Sequence, residues 1–254
     1  MKTILIIIDG LNYQVAQHSM GYLLGECAAG HGHFRQIEAE LPSMSRPLYE
    51  TILTGKTPIE SGIVHNNVVR LSKEKSIFHH AKSLGKISAA AAYHWFSELY
   101  NDADFQVTKN RFTFNPELTI PYGIFYFEED YPDSHVFADS EYLRETYDPD
   151  FLLIHASMMD TVGHHFGGDS PQYRNAARKL DEILAHYLPQ WLSQDYQLFI
   201  TADHGINADK NHGGNLPEEI NVPLFILGSD HEAFINQTIA QTDICPIICQ
   251  LLEQ

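Results

Sequence analysis

The sequence predicts an α/β fold, a three-layer sandwich with a mostly parallel central sheet. Apolar runs of six or seven residues, rich in β-branched side chains, alternate along the chain with amphipathic segments of helical length. The first run, Ile-Leu-Ile-Ile-Ile at residues 4–8, is uninterrupted, as expected of a strand covered on both faces. No internal repeat or linker interrupts the pattern, so residues 1–254 are predicted to form a single domain.

The elements follow in a regular order. Strands are predicted at residues 3–8, 34–40, 87–93, 150–155, 196–201 and 222–227. Helices are predicted at residues 12–27, 43–55, 73–84, 134–147, 171–187 and 242–252. Pro47 stands in the first turn of the second helix, where a missing N–H costs little, and Gly55 is expected to cap its end. Residues 95–131 are dense in aromatic side chains without a clear period, so we expect a small insertion or lid there, which most of these aromatics simply pack.

The charge balance is strongly acidic. There are 33 Asp and Glu residues against 16 Lys and Arg, a formal net charge of −17. A field of that sign repels phosphate backbones, so no nucleic-acid polymer is expected as a partner. Any small anionic substrate would need local positive charge from bound metal or from a few basic side chains. The oligomeric state is left open.

The cysteines and the apolar runs indicate the cellular compartment in which the protein is expected. Cys27, Cys245 and Cys249 give no disulfide framework, and the last two lie one helical turn apart on an apolar segment, as small buried side chains would. A reducing compartment is the natural interpretation. The run at residues 4–8 is too short for a signal-peptide core or a membrane span, and no later run approaches span length. The protein is therefore expected to be cytoplasmic, without a membrane partner.

Residues 199–214 carry the strongest chemical signal. A predicted strand ends there in Asp203-His204-Gly205, and His212 follows eight positions after His204. Carboxylate and imidazole side chains at the carboxyl end of a strand, in a Gly/Asn-rich loop, are typical of a hydrolytic metal site. A surface loop with two unrelated histidines is the alternative.

Three further ligand candidates lie elsewhere. Asp9 follows the first strand directly, although Asp-Gly is also common in tight turns. Asp160 and His164 are four residues apart behind a buried strand and would point the same way on one helical turn, unless they are simply a solvated helix face. The full set suits two sites for divalent ions, expected to be Zn²⁺ with Mn²⁺ as the alternative: Asp9, Asp160, His164, Asp203, His204 and His212.

Ser45 is the candidate nucleophile. It stands in Pro42-Ser-Met-Ser-Arg-Pro47, at a turn just ahead of a helix, and the amino end of a helix favours anions. A hydroxyl coordinated to a metal there would have a depressed pKa and could attack phosphorus. An ordinary N-cap serine is the alternative, and this segment alone favours it.

Together these motifs resemble the alkaline phosphatase superfamily, and most closely its nucleotide pyrophosphatase/phosphodiesterase branch, over residues 3–252. The resemblance rests on Asp9-Gly10, Pro-Ser-Met-Ser45-Arg-Pro, Gly62-Ile-Val-His-Asn66, Asp160-x3-His164, Asp203-His204-Gly205 and His212, in the family's order. It implies an alkaline phosphatase-like fold and a two-metal hydrolase of phosphodiester or pyrophosphate bonds in a small phosphorylated substrate.

The resemblance also implies roles for single residues. One ion would be held by Asp160, His164 and His212, and the other by Asp9, Ser45, Asp203 and His204. Ser45 would be the nucleophile, through a phosphoseryl intermediate. Asn66 resembles the asparagine that donates to a phosphoryl oxygen in this family, helped by the backbone N–H of Arg46.

The sequence departs from the family pattern at several positions, so other activities of the superfamily stay open as alternatives. The branch usually has threonine as nucleophile, and Pro-Asn-His where this chain has Pro47-Leu-Tyr49. Tyr49 stands where sulfatases require arginine, which argues against a sulfatase, and residues 95–131 are too few for a mutase cap. A phosphomonoesterase or phosphonate hydrolase stays open, because Arg46 or Lys56 could bind a terminal phosphate. A non-catalytic metal-binding relative is a further alternative.

Overall fold

The chain folds around one eight-stranded sheet, in a computed structural model that describes all of residues 1–254. In spatial order the strands are β2-β8-β7-β1-β6-β3-β5-β4. Their bounds are β1 Thr3–Ile8, β2 Gly32–Glu38, β3 Ser88–Tyr93, β4 Phe112–Phe114, β5 Tyr122–Tyr126, β6 Phe151–Ala156, β7 Gln197–Thr201 and β8 Asn221–Leu227.

The five central strands β7, β1, β6, β3 and β5 are parallel, whereas β8, β2 and β4 pair antiparallel toward the two edges. Ile7 in β1 is level with His155 in β6 and with Thr201 in β7, so these three neighbours end at the same height. Every residue of the three strands is buried, which explains their continuous apolar character. The predicted α/β class with a mostly parallel sheet is confirmed.

Helices cover both faces of the sheet. Their bounds are α1 Tyr13–Ser19, α2 Gly21–Ala28, α3 Ser45–Thr54, α4 Pro58–Ser61, α5 Ile77–Ser83, α6 His94–Tyr100, α7 Val107–Asn110, α8 Asp133–Tyr147, α9 Met158–Phe166, α10 Pro171–Ser193, α11 Pro217–Ile220 and α12 Ile244–Leu252. Helix α8 packs on β3 and β6, and α10 packs on α1, α2, α8 and α9. Helix α12 packs on β1, α3 and α5, so a second helical layer is present.

Residues 95–131 lie differently from the expected insertion or lid. Helix α6 follows β3 without a break, and β5 continues the parallel sheet beside β3. The short strand β4 then pairs with β5 and closes that edge. The segment thus contributes two strands to the main sheet, where Phe125 and Tyr126 of β5 are buried, whereas Phe112 and Phe114 of β4 are exposed.

No helix of the structure is both long enough and apolar enough to span a membrane.

Candidate active site

The candidate ligands gather at the carboxyl ends of three adjacent strands. Asp9 directly follows β1, Asp203 lies two residues beyond β7, and helix α9 begins two residues beyond β6. Gly10 makes the tight turn after Asp9 with a φ of 75°, and a Cβ there would lie 2.9 Å from Asp160 Cα. Glycine thus allows α9 to approach the end of β1, as expected for a site at the carboxyl edge of a parallel sheet.

One cluster forms around His204 Nε2. This atom lies 3.4 Å from Asp9 Oδ1, 3.3 Å from Asp203 Oδ2 and 3.1 Å from Ser45 Oγ. Asp203 and His204 have no exposed surface, and Asp9 and Ser45 are almost fully buried. The structure therefore brings together the four residues that the sequence assigned to the ion beside the nucleophile.

The second cluster lies next to the first. His164 Nε2 is 3.4 Å from Asp160 Oδ1, and His212 Nε2 is 3.9 Å from the same oxygen. The rings of His204 and His212 stack with centroids 3.8 Å apart, so the two clusters touch through them. By distance alone, His204 can be grouped with either cluster. The division of ligands between two ions stays a prediction.

The three histidines share one hydrogen-bonding pattern. Nδ1 of each ring donates to a backbone carbonyl oxygen: His164 to Lys210 at 2.9 Å, His204 to Gly205 at 3.1 Å and His212 to Ser43 at 2.7 Å. A carbonyl oxygen only accepts, so Nδ1 must carry a proton, and in the neutral form of each ring Nε2 presents a lone pair to the cluster. This is the orientation that metal-binding histidines need.

The carboxylates provide a second test of whether these residues fit a cation. Three buried oxygens of the clusters accept no hydrogen bond from the protein: Asp9 Oδ1, Asp160 Oδ1 and Asp203 Oδ2. Buried carboxylate oxygens without donors are costly, and a divalent cation compensates for that cost directly. The donor set fits a divalent ion that accepts mixed oxygen and nitrogen ligands.

Burial and mutual repulsion act on the carboxylates of the metal-free site. Burial, followed by the charge of Asp9, raises the pKa of Asp160 and holds the pKa of Asp203 well above its ordinary value. Burial also acts to raise the pKa of Asp9, but His155, the charge of His204 and the Tyr49 hydroxyl outweigh it and lower that pKa. Two of the three carboxyls thus resist ionisation until a positive charge arrives.

The pKa values of two of the three imidazoles are shifted in the direction that suits ligation. Burial lowers the pKa of His204, and burial together with the charge of His204 lowers the pKa of His212 to about 4. Both rings are neutral near pH 7, as metal binding requires. The carboxylate of Asp160, 3.4 Å away, instead raises the pKa of the more exposed His164 to about 9, so this ring must release a proton when it binds an ion.

Ser45 is the first residue of α3, and Met44 ahead of it caps the helix without a side-chain hydrogen bond. Ser45 and Asn66 both line a cavity of about 170 Å³ beside the two clusters. Asn66 Oδ1 accepts a hydrogen bond from the backbone N–H of Arg46 at 3.0 Å. The carbonyl of Asn66 also accepts from Arg46 Nε at 2.8 Å. Arg46 therefore fixes Asn66 from two sides, and Asn66 Nδ2 is the group left to donate into the cavity.

The basic side chains near Ser45 do not face the cavity. Arg46 is paired with Glu98 at 2.5 Å, lies over the Trp95 ring at 4.4 Å and is almost wholly buried. Lys56 follows Gly55, which ends α3, so the length of that helix, about 15 Å, separates it from Ser45. Neither is among the residues lining the cavity, so the arrangement gives no support to the idea that they bind a terminal phosphate.

Several site residues were not foreseen from the sequence. The Tyr49 hydroxyl donates to Asp9 Oδ2, and His155 Nε2 lies 3.3 Å from the same oxygen. Tyr93 and Glu129 line the cavity as well. The sequence could have indicated two of these residues. Tyr49 is one helical turn after Ser45, and His155 is the one polar residue in the apolar strand β6.

Asp133 fixes the start of α9. Its Oδ1 accepts from the backbone N–H of Met158 at 3.2 Å, and burial raises its pKa to about 7. An acid with a folded-state pKa above its unfolded value destabilises the fold progressively as pH rises from the unfolded pKa to the folded one. We expect Asp133→Asn, which keeps the acceptor, to be more stable than wild type by on the order of 2–4 kcal/mol at pH 8 and by less at pH 5.

Urea unfolding at the two pH values measures this difference. Asp150→Asn is the matched control, because its carboxylate also accepts a backbone N–H, from Ile87 at 2.9 Å, but at an exposed position. Equal gains for Asp133→Asn at both pH values would contradict the prediction.

Comparison with known families identifies the family to which the chain belongs. Residues 3–218 match the family model described as type I phosphodiesterase / nucleotide pyrophosphatase. The chain belongs to this family. The resemblance drawn from the motifs, to the alkaline phosphatase superfamily and its nucleotide pyrophosphatase/phosphodiesterase branch, is thereby confirmed.

Curated relatives of this family member are much longer. The catalytic subunit of GPI ethanolamine phosphate transferase 2 from Homo sapiens is 23% identical over 246 residues, which is 91% of this chain and 24% of that protein. Ectonucleotide pyrophosphatase/phosphodiesterase family member 7 from Homo sapiens is 23% identical over 245 residues, which is 88% of this chain and 52% of that protein. The chain thus spans about a quarter and about half of their lengths.

Solved structures share the fold. Murine ectonucleotide pyrophosphatase/phosphodiesterase 5 superposes with a TM-score of 0.76 at 14% identity, covering 100% of this chain and 95% of that one. Phosphonoacetate hydrolase from Sinorhizobium meliloti gives a TM-score of 0.58 at 18% identity over 81% of this chain and 56% of that one. The fold is therefore alkaline phosphatase-like, as the motifs predicted.

Proposed function

We propose that the chain is a two-metal hydrolase of phosphate esters, acting on phosphodiester or pyrophosphate bonds of the nucleotide type. The observation that carries the proposal is the set of three buried carboxylate oxygens without protein donors, close to three histidine Nε2 atoms and to Ser45 Oγ. Membership of the type I phosphodiesterase / nucleotide pyrophosphatase family supports phosphodiester chemistry. The AMP complex of a murine relative agrees with a small phosphorylated substrate.

The residues that would hold the ions divide into two groups. Asp160, His164 and His212 would hold one ion, and Asp9, Asp203, His204 and Ser45 would hold the other. Zn²⁺ suits this mixture of carboxylate and imidazole, and Mn²⁺ is the alternative. When bound, the ions would polarise the phosphoryl oxygens and lower the pKa of the attacking hydroxyl.

The side chains of the protein perform the remaining steps. Ser45 Oγ attacks phosphorus, the bond from phosphorus to the leaving oxygen breaks, and the leaving group departs as an alcohol or phosphate after taking a proton. Water then cleaves the phosphoseryl bond and restores the hydroxyl. Asn66 Nδ2 donates to a phosphoryl oxygen, and the amino end of α3 favours the negative charge that develops beside Ser45.

The charges around the cavity favour a diester over a monoester. Asp9, Asp160 and Glu129 are among its lining residues, whereas no lysine or arginine is. A monoester dianion carries one more charge than a diester, and no lysine or arginine lines the cavity to bind it. A phosphomonoesterase or phosphonate hydrolase is therefore the less favoured candidate.

Metal analysis combined with a diesterase assay tests the proposal. We expect the purified protein, reconstituted with Zn²⁺ or Mn²⁺, to bind two equivalents and to hydrolyse bis-p-nitrophenyl phosphate faster than p-nitrophenyl phosphate. Reconstituted protein that binds no metal and cleaves neither substrate would refute it and would favour a non-catalytic relative.

The transferase relatives favour a second candidate, transfer of the phosphoryl group from Ser45 to an alcohol instead of water. Hydrolysis of bis-p-nitrophenyl phosphate in the presence of glycerol distinguishes the two. A glyceryl p-nitrophenyl phosphate product that exceeds the share expected from the molar ratio of glycerol to water supports transfer. Its absence supports hydrolysis alone.

We further propose a reducing, cytoplasmic location. The three cysteines are free, and the sulfurs of Cys245 and Cys249 lie 4.0 Å apart without a bond. Cell fractionation with antibodies against the protein tests this, and recovery of the protein outside the cytoplasm would contradict it.

A further inference from the structure

One oxygen of Asp9 has side-chain partners behind it, and the other, although buried, accepts no hydrogen bond. Oδ2 accepts from the Tyr49 hydroxyl and lies 3.3 Å from His155 Nε2. Oδ1 accepts no hydrogen bond and faces His204 Nε2 at 3.4 Å. The two oxygens of this carboxylate therefore have different surroundings. Oδ2 contacts Tyr49 and His155, whereas Oδ1 has a free lone pair that could bind a cation.

His155 is oriented opposite to the three candidate ligands. Its Nδ1 lies 2.6 Å from the Tyr126 hydroxyl, not against a carbonyl oxygen, and its Nε2 points toward Asp9. The Tyr126 hydroxyl is also 3.1 Å from the backbone carbonyl oxygen of His155, so its single proton has two acceptors. The carboxylate of Asp9 only accepts and therefore favours the ring proton on Nε2, in which case the hydroxyl donates to the closer Nδ1. His155 is fully buried, and its Nε2 forms no hydrogen bond with any group other than this 3.3 Å contact with Asp9 Oδ2.

The Tyr49 ring has little freedom to move. It stacks on Phe96 with centroids 4.5 Å apart and meets the His155 ring edge-on at 4.8 Å. Tyr49 is also one turn beyond Ser45 on α3, so the same helix positions the nucleophile and the hydroxyl that binds Asp9. A displacement of one would displace the other.

We propose that Tyr49 and His155 are positioning residues that hold Asp9 Oδ2, so that Asp9 presents Oδ1 alone to the ion beside Ser45. This inference rests on the proposed metal site. A carboxylate without these partners is free to rotate, and its ligand oxygen loses a fixed direction. Partners of this kind behind a ligand typically contribute 10–100-fold in metal affinity.

The structure offers a matched pair of variants. Tyr49→Phe removes one buried hydroxyl that donates to the carboxylate of Asp9. Tyr100→Phe removes another buried hydroxyl, which donates to the buried carboxylate of Glu50 at 2.7 Å, away from the candidate ligands. Both variants lose the same group in the same kind of environment, and they differ only in which carboxylate is affected.

Competition of each protein with a chromogenic chelator for Zn²⁺ measures the two affinities separately from activity. We expect Tyr49→Phe to weaken one of the two sites about 10–100-fold and to leave the other unchanged. Tyr100→Phe should leave both unchanged. Wild-type affinities in Tyr49→Phe, or an equal loss in Tyr100→Phe, would overturn the inference.

Variants of His155 test the second donor. His155→Gln can keep an N–H near the position of Nε2, whereas His155→Leu cannot. We expect the leucine variant to weaken the same site as Tyr49→Phe and the glutamine variant to regain part of the affinity. Equal affinities in the two variants would remove His155 from this role.

These outcomes are distinct from failure of the proposed function. A wild-type protein that binds no Zn²⁺ contradicts the metal site itself, whatever Tyr49 does. A wild-type protein with two sites that Tyr49→Phe leaves intact contradicts the positioning role alone. Far-UV circular dichroism of each variant confirms that folded proteins are compared.

Discussion

Ser45→Ala is expected to lose turnover of bis-p-nitrophenyl phosphate by about 10³-fold or more while binding the same number of metal ions. Ser45 Oγ lies 3.1 Å from His204 Nε2 at the amino end of α3, and no other hydroxyl has this position. Removing a covalent nucleophile abolishes the two-step route, and what is left comes from binding and electrostatics alone. Steady-state kinetics and metal analysis on the same preparations measure both quantities.

Ser45→Thr is the control for that experiment. Threonine keeps the hydroxyl, and it is the residue that the branch usually has at this position, so we expect activity within about tenfold of wild type. Acid-quenched samples of wild type and of Ser45→Thr should carry a phosphoryl group on residue 45, detected by peptide mass spectrometry. Ser45→Ala with activity close to wild type would remove Ser45 from its role.

Metal removal is expected to have the second large effect, on stability. Burial and the nearby charge of Asp9 raise the pKa of Asp203, so ionising this buried acid in the metal-free site is costly. A ligand present at 100 times its Kd stabilises the folded state by about 2.7 kcal/mol. For a chain of this length that corresponds to an increase in Tm of roughly 5–10 °C for each occupied site. Differential scanning calorimetry with Zn²⁺ and with EDTA measures the change.

Asp203→Asn separates the two sites in that experiment. It replaces a fully buried carboxyl with an uncharged amide and removes one proposed ligand of the ion beside Ser45. We expect the Zn²⁺-dependent increase in Tm to fall to about half of the wild-type increase, while the metal-free variant is at least as stable as metal-free wild type. An unchanged increase would show that Asp203 does not contribute to a site.

Much of this architecture could be predicted from the sequence because its signals are local. The buried strands β1, β6 and β7 are continuous apolar runs, and the polar residues that follow them stand out against them. Parallel strands end at a common edge, so the sequence alone predicts that Asp9 and Asp203 lie close together. The gathering of Ser45, Asp160, His164, His204 and His212 at the same edge agrees with the family's order of motifs.

Other features depend on contacts that the sequence does not encode locally. Strand β4 has three residues, too few for a periodic signal, and only its pairing with β5 makes it a strand. The ionic pairing of Arg46 with Glu98 spans 52 positions, and Arg46 is not among the residues that line the cavity. The contact between Tyr49 and Asp9 spans 40 positions and likewise requires the folded structure.

In the strand order β7-β1-β6-β3-β5, the two sides of the parallel sheet lead into different groups of site residues. The three strands on one side end in the acids and histidine-bearing loops of the site, whereas β3 and β5 lead into Trp95 and Glu129 on the cavity wall. The proposed reacting groups and these two residues of the cavity wall thus lie in separate stretches of the chain. We expect exchanges of residues 94–131 between family members to change which esters are accepted while the candidate metal ligands keep their positions, which makes this edge of the sheet the natural place to alter the proposed activity.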